Sequence, residues 1–259
     1  MQPVFAPRTT SARVSPRLAI ILAAVLVPLA LVLAFAWAPI DTISFSEGDV
    51  QYNFPQKIFY VHVPIAMAAY LAFISGAWNA VLYLIKGDDD YDVRSYAGVH
   101  SGVVLGTLVL ITGSLWAKIS WGVWWQWSDR QLLVFLTLYL FYAAYFVLRF
   151  SIDQGRSRAR ASAIFAVLGV ALVPLSFFAI RIADTLIHPI VITPEGDSLP
   201  GQVWIAFAVS LVGFAALAIV MLQLEVAAKL RHARGYVATD EPNAPLSMPA
   251  TETAEAVHV

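Results

Sequence analysis

Four tryptophans and two histidines are the residues of this chain whose types and spacing best suit binding chemistry. The tryptophans share one seven-residue run, WGVWWQW: Trp121, Trp124, Trp125 and Trp127. His62 lies in the segment KIFYVHVPIA, and His188 lies in ADTLIHPIV. Indole rings provide large, flat apolar surfaces with one N–H donor, and imidazole is the commonest metal ligand in proteins. If the fold brings these residues together, they would suit a planar ligand with a central metal.

The composition of the chain indicates an integral membrane protein. Of its 259 residues, 59% are hydrophobic and 13% are charged, and the mean hydropathy is +0.73. Soluble domains are about 45–50% apolar and about 25% charged. The net charge of −1 indicates no nucleic-acid partner. The absence of cysteine excludes disulfides, thiolate metal sites, iron–sulfur clusters and a covalent CxxCH haem site in this chain.

Six stretches without Asp, Glu, Lys or Arg are long enough to cross a bilayer, which takes about 20 residues. They are residues 18–40, 58–85, 95–117, 131–148, 161–180 and 198–224. The sequence therefore predicts an all-α integral membrane protein, a bundle of six transmembrane helices with short loops over residues 18–230. Gly98, Gly102 and Gly106 surround His100 and predict close helix packing there, with His100 in a packing or hydrogen-bonding role.

The distribution of Lys and Arg predicts the orientation of the helices. Both terminal segments, the second connection and the fourth connection together hold 12 of the 16 basic residues, and the other three connections hold 4. Because basic residues concentrate on the cytoplasmic side, both termini are predicted to be cytoplasmic. This places the Trp-rich connection, residues 116–130, on the outer face.

Separate predictions concern the two ends of the chain. Residues 1–17 form a cytoplasmic segment, and residues 231–259, rich in Ala, Pro, Thr and Glu, form a disordered tail. The first apolar stretch is expected to be a retained helix, because it exceeds the 7–15 apolar residues of a usual signal peptide. A cleaved signal peptide is the alternative.

The predicted topology puts His62 and His188 at the outer face, with the Trp-rich connection. Two imidazoles beside an aromatic surface suit axial ligation of a haem iron. The alternative is two interfacial histidines that bond nearby backbone, with the tryptophans as an interfacial belt. Motifs of a zinc protease (HExxH), of nucleotide hydrolysis (GxxxxGK[ST]) and of a serine hydrolase (GxSxG) are absent from the sequence.

Two segments resemble a known family. Residues 112–130, TGSLWAKISWGVWWQWSDR, resemble the "WWD" signature of haem-handling membrane proteins in cytochrome c biogenesis. Residues 57–66, KIFYVHVPIA, resemble the His-containing start of the second helix in the haem exporter protein C (CcmC) family. The resemblance covers roughly residues 18–230, and the six spans and the chain length fit it.

The resemblance implies a haem-transport subunit of the bacterial inner membrane that is not itself an enzyme. Such proteins hold non-covalent haem b at the outer, periplasmic face and present it to the haem chaperone CcmE. The ABC transporter subunits CcmA and CcmB and the small helper CcmD complete the system, within the lipid of the membrane. The implied axial ligands are His62 and His188, and the remaining implied haem-binding residues are Trp121, Gly122, Trp124, Trp125, Trp127, Asp129, Arg130 and Lys57.

One departure from the family pattern falls inside the Trp-rich segment. Ser128 stands where the family has Asp directly after the last Trp, and Asp129 follows it. Leu132 stands where the family usually has Thr. On a regular helix a one-residue shift would rotate the carboxylate by about 100°, whereas a loop could absorb it. Two other functions stay open: a CcsA-like synthase that joins haem to apocytochrome c, and a small-solute permease.

Overall fold

The computed structural model describes residues 15–40, 42–44, 50–52, 54–182 and 200–239. Within these residues the regular secondary structure is helical apart from two three-residue strands, which pair antiparallel in the connection after the first helix. The elements are α1 Pro16–Val32, continued by a π-helical turn Leu33–Trp37, β1 Thr42–Ser44, β2 Val50–Tyr52, a 3-10 turn Phe54–Ile58, α2 Phe59–Lys86, α3 Asp89–Trp121, α4 Arg130–Ser151, α5 Arg156–Gly169, α6 Leu172–Ile182 and α7 Gly201–Thr239.

Six helical segments within the described residues are long and apolar enough to cross a membrane, which confirms the predicted membrane-protein class. The fifth is interrupted, because α5 ends at Gly169 and α6 begins at Leu172. Pro174 explains the break: it has no N–H, and its ring would clash with the carbonyl of Val170. That carbonyl accepts a hydrogen bond from the Val173 N–H at 3.0 Å instead.

Two helices are longer than the sequence indicated. α3 has 33 residues, about 50 Å at 1.5 Å per residue, so it exceeds a hydrocarbon core of about 30 Å. It continues to Trp121, so the predicted loop 116–130 shortens to residues 122–129. α7 continues to Thr239, so residues 231–239 of the predicted disordered tail are helical. The Ala, Leu, Lys and Arg residues near 226–234 favour this helix.

Small residues bring α2 and α3 into backbone contact. A Cβ added to Gly98 would lie 2.5 Å from the Cα of Gly76. A Cβ added to Gly102 would lie 2.5 Å from the ring of Phe73, which stacks on Tyr142 with 4.1 Å between ring centroids. The glycines therefore let these two helices pack closely, as the sequence predicted.

Three helix ends meet at one end of the bundle, which we call the site end. The carboxyl end of α1, the amino end of α2 and the amino end of α7 form one apolar cluster around Ala38, Tyr60 and Ala206. Phe59 and Phe207 stack there with 4.9 Å between ring centroids. The carboxyl end of α3 lies at the same end, because it contacts the first turn of α2.

An ion pair and a hydrogen bond between side chains hold the opposite end together. Arg149 of α4 is buried and makes a two-pronged contact with the carboxylate of Asp92 in α3, at 2.6 and 2.8 Å. His100 of α3 lies 2.9 Å from a carboxylate oxygen of Glu225 in α7. His100 thus has the hydrogen-bonding role that the sequence predicted. The two contacts fix α3 relative to α4 and α7.

Candidate functional site

His62 is seated against α3. It belongs to the first turn of α2, and its Nδ1 lies 2.8 Å from the hydroxyl oxygen of Thr112. Gly113 leaves room for the ring, because a Cβ there would lie 2.9 Å from the His62 Cε1. A candidate metal ligand on α2 is therefore oriented by two consecutive residues of the neighbouring helix.

The Trp-rich run begins where α3 ends. Gly122 closes the helix in the left-handed conformation, with a φ of +78° that favours glycine. Lys118 of the last turn donates a hydrogen bond to the Gly122 carbonyl at 2.9 Å, and its ammonium lies 6.0 Å from the Trp124 ring centroid. The end of α3 thus carries a cation next to an indole.

The tryptophan rings form edge-on pairs. Trp116 and Trp121 lie 4.8 Å apart at 72°, and Trp125 and Trp127 lie 6.0 Å apart at 63°. The quadrupoles of aromatic rings favour such T-shaped contacts. The indoles of each pair are therefore not coplanar: they form a ridged surface, in which the edge of one indole faces its neighbour.

Exposure divides the indoles into two kinds. Trp124 and Trp127 are 60% and 69% exposed, so most of their ring area is open. Trp121 and Trp125 are half-buried. The indole N–H of Trp125 is buried and has no hydrogen-bond partner within the described residues. An unpaired buried N–H costs about 1–3 kcal/mol, so this site would gain from a ligand that brings an acceptor oxygen to it.

Asp129 has a structural role in this fold. It is 4% exposed, and its carboxylate accepts a hydrogen bond from the Leu132 N–H at 3.0 Å. This is an N-cap of α4, which satisfies one of the amide groups left open at a helix start. The shift from Ser128 to Asp129 thus places the carboxylate at the cap position, while the next residue, Arg130, is exposed at the helix start.

Lys57 lies in a different environment from the one the sequence suggested. It is only 4% exposed, and its ammonium donates hydrogen bonds to the carbonyls of Ala38 and Pro39 at the end of α1. This ties α1 to the entry of α2. A contact with a propionate at the outer surface would require the ammonium to leave these carbonyls, so the structure favours Lys57 as a clamp between helices.

His188 lies outside the described residues. In sequence it precedes α7, whose first turns pack at the site end. Its role as a second ligand stays a prediction.

Sequence reasoning missed four residues that line this site: Thr112, Gly113, Trp116 and Lys118. All four belong to residues 112–130, the segment that resembles the family signature, so that segment as a whole was the signal that could have identified them. Trp116 follows Thr112 by four residues and lies on the same helix face, one turn nearer to the loop. Trp116 in turn packs edge-on against Trp121, so it links the face of α3 that contacts His62 to the Trp-rich run.

The chemistry of the site follows from these contacts. An oriented imidazole can bind a metal, the open faces of Trp124 and Trp127 can pack on a flat apolar ligand, and Lys118 and Arg130 can pair with carboxylates. His62 and Trp121 are not adjacent: Thr112 and Trp121 are nine residues apart on α3, about 14 Å along its axis. The site thus suits a ligand that is wide, planar and apolar at its centre and acidic at its rim.

Comparison with known proteins identifies the family that this chain resembles over most of its length. A model described as "heme exporter protein C" matches residues 4–239. The heme exporter protein C of Rhodobacter capsulatus is 26% identical over 192 residues, which cover 73% of this chain and 79% of that protein. That of Paracoccus denitrificans is 27% identical over 186 residues, 69% and 74% of the two chains.

A mitochondrial protein is also similar to this chain. A ccmC-like mitochondrial protein of cytochrome c biosynthesis from Arabidopsis thaliana is 26% identical over 200 residues, covering 77% of this chain and 72% of that protein. The family match spans every described helix and includes both segments on which the resemblance was noted. This chain belongs to the heme exporter protein C family.

Proposed function

We propose that this chain binds haem at the outer face of the bacterial cytoplasmic membrane and delivers it to a periplasmic haem chaperone of the CcmE kind, for cytochrome c maturation. The observation that carries the proposal is the seating of His62 against the face of α3 that also carries Trp116, whose ring contacts Trp121 of the Trp-rich run. Membership of an exporter family supports a transport subunit rather than an enzyme.

The orientation rests on charge. The connection that contains the Trp-rich run belongs to the set that holds 4 of the basic residues, against 12 in the alternate set. The positive-inside rule then assigns the site end to the periplasm and both termini to the cytoplasm. A soluble or membrane-anchored chaperone in the periplasm could reach haem at this end without haem having to cross the helix bundle.

Each residue has a task in this proposal. His62 and His188 ligate the iron of non-covalently bound haem b, and the chain has no cysteine that could form a thioether bond to a vinyl group. Trp124 and Trp127 pack on the macrocycle with their exposed rings, and Trp125 offers its unpaired N–H to an oxygen at the rim. Arg130 is the exposed cation for a propionate, a role for which buried Lys57 is less suited.

Lys118 is a second cation for the propionates. It lies at the exposed end of α3, beside Trp124. Its hydrogen bond to the Gly122 carbonyl uses one of three ammonium protons, so it can hold a carboxylate while it caps the helix. Two cations at the two ends of the loop, Lys118 and Arg130, would bracket the acidic rim of haem.

Delivery requires partners. We propose a CcmE-like chaperone that takes haem from the exposed ridge, ABC transporter subunits of the CcmA and CcmB kind that release the loaded chaperone, and a CcmD-like helper in the same complex. The open faces of Trp124 and Trp127 favour this order of events, because a ligand packed on exposed rings can be reached from outside the bundle.

The test is the absorption spectrum of the purified protein with its chaperone. His62→Ala and His188→Ala should each lose most of the bound haem. His100→Ala is the matched control, because His100 bonds Glu225 at the opposite end of the bundle and should leave the haem spectrum unchanged. Wild-type haem spectra in both ligand variants would refute the assignment of the ligands.

Two other outcomes would change the function. Copurification with an apocytochrome in place of a chaperone would favour the CcsA-like synthase. A wild-type protein that shows no haem absorbance after expression with ample haem would favour a small-solute permease with an interfacial belt of tryptophans.

A further inference from the structure

The hydroxyl of Thr112 lies among three polar atoms, one of which belongs to His62. Its oxygen is 2.8 Å from the His62 Nδ1, 2.7 Å from the Leu108 carbonyl oxygen and 3.2 Å from the Val109 carbonyl oxygen. The two carbonyls belong to α3 itself, as is usual for a threonine that bonds back to the preceding turn of its helix. The three distances together restrict where the hydrogen atoms can be.

Hydrogen positions follow from the capacity of each group. A hydroxyl has one proton to donate and two lone pairs, and a carbonyl oxygen only accepts. If Thr112 donated to the His62 Nδ1, its oxygen would face the Leu108 carbonyl oxygen at 2.7 Å with no proton between them. If Thr112 donates to Leu108, the His62 Nδ1–H can donate to Thr112, and all three groups are satisfied. The network therefore assigns the proton to Nδ1.

The tautomer matters because it selects the nitrogen that can bind a metal. A neutral imidazole with its proton on Nδ1 carries its lone pair on Nε2. Histidines that ligate metals commonly donate their other N–H to an oxygen acceptor, which fixes the ring plane and raises the basicity of the ligand. Here the acceptor is a hydroxyl held by the backbone of the next helix, so its position is as rigid as α3.

We propose that Thr112 is a positioning residue that fixes His62 as its Nδ1–H tautomer, with Nε2 as the iron-binding nitrogen. The proposal rests on the proposed function for its ligand, haem iron, but not for the tautomer itself. Gly113 also contributes, because it has no side chain and so lets the His62 ring lie against α3 within reach of the Thr112 hydroxyl. The orientation of a ligand on α2 is thereby set by two residues of α3.

The central variant is Thr112→Val, which keeps the shape of the side chain and removes the hydroxyl. We expect the affinity for haem to fall by about 10- to 100-fold, the usual effect of losing a partner of a metal ligand. The Soret band should shift, since the basicity of the ligand changes. Thr112→Ser retains the hydroxyl and should restore both the affinity and the band position.

The control is Thr137→Val on α4. Thr137 is exposed and makes the same bond back to its helix, to the Leu133 carbonyl at 2.8 Å. The substitution therefore reproduces the loss of such a bond without removing a contact of His62. Its melting temperature and haem affinity should match those of the wild-type protein. An equal loss of haem in both valine variants would overturn the proposal.

A measurement without haem separates this proposal from the proposed function. In protein labelled with ¹⁵N-histidine, the His62 signals, assigned by their absence in His62→Ala, should show a protonated Nδ1 and an unprotonated Nε2 when the ring is neutral. Thr112→Val should show a mixture of tautomers. A wild-type ring protonated on Nε2 would refute the positioning role, even if Thr112→Val does not fold. If the wild-type ring carries its proton on Nδ1 but the His62→Ala variant retains haem, only the assignment of His62 as a ligand is refuted.

Discussion

Gly113→Ala is the substitution that most directly tests the seating of His62 on α3. The added Cβ would lie 2.9 Å from the His62 Cε1, whereas carbon atoms in ordinary contact are about 3.5–4.0 Å apart. The ring must therefore retreat by about 0.6–1.1 Å. The imidazole lies at the end of a side chain with rotatable bonds, so the ring moves while the helix backbones remain in place.

This displacement should separate function from stability. The bond between the His62 Nδ1 and the Thr112 hydroxyl is 2.8 Å long, and such a retreat would bring it to or beyond the limit of a hydrogen bond. We expect haem affinity to fall by about 10- to 100-fold. The melting temperature should not fall, because Ala favours a helix over Gly by about 0.8–1 kcal/mol.

The assay is haem titration of the purified protein, followed by the Soret band, with tryptophan fluorescence reporting the melting temperature. Gly106→Ala is the control on the same helix: its Cβ would meet the Tyr139 ring at 3.1 Å instead of His62, and it lies about 10 Å along the helix axis from Gly113. It should retain wild-type affinity. Unchanged haem binding in Gly113→Ala would refute the seating of the ring, and an equal loss in Gly106→Ala would indicate a general disturbance of α3.

Three other substitutions test the frame of the site. Arg149→Met should cost about 3–5 kcal/mol by leaving the Asp92 carboxylate without its partner, and a second substitution, Asp92→Leu, should recover part of the lost melting temperature. Asp129→Ala should destabilise the start of α4 by about 1 kcal/mol, while Asp129→Asn, which can still cap the helix, should not. If the Ala and Asn variants both lose haem at unchanged stability, the carboxylate has a direct role in haem binding. Gly98→Leu should separate α2 from α3 and reduce folded yield, because its Cβ meets the backbone of Gly76; normal yield would contradict the close crossing.

The sequence predicted the class of fold well because a bilayer imposes a strong, local requirement. A span needs about 20 apolar residues, so the absence of charges located all six crossings. The interruption near Pro174 and the extension of α3 to Trp121 were not located, because both depend on backbone hydrogen bonds and helix ends. Apolar composition alone does not report these.

Charged residues near the site were harder to interpret from sequence. Lys57 and Arg130 look alike as basic residues of the same face, yet Lys57 is buried against the end of α1 and Arg130 is exposed. Asp129 looked like a displaced member of a signature and is the N-cap of α4. The distinction depends on which carbonyl or amide lies within reach, and that is a property of the packed chain.

The sequence by itself determined that this chain crosses the membrane and to which family its Trp-rich segment points, because each depends on local composition or on a contiguous motif. The tertiary structure decided how those residues meet. Thr112 and His62 are 50 positions apart and approach only because α2 packs on α3 through glycines. Contacts between distant residues depend on helix packing, so no local pattern encodes the orientation of the His62 ring or the edge-on pairing of the tryptophans.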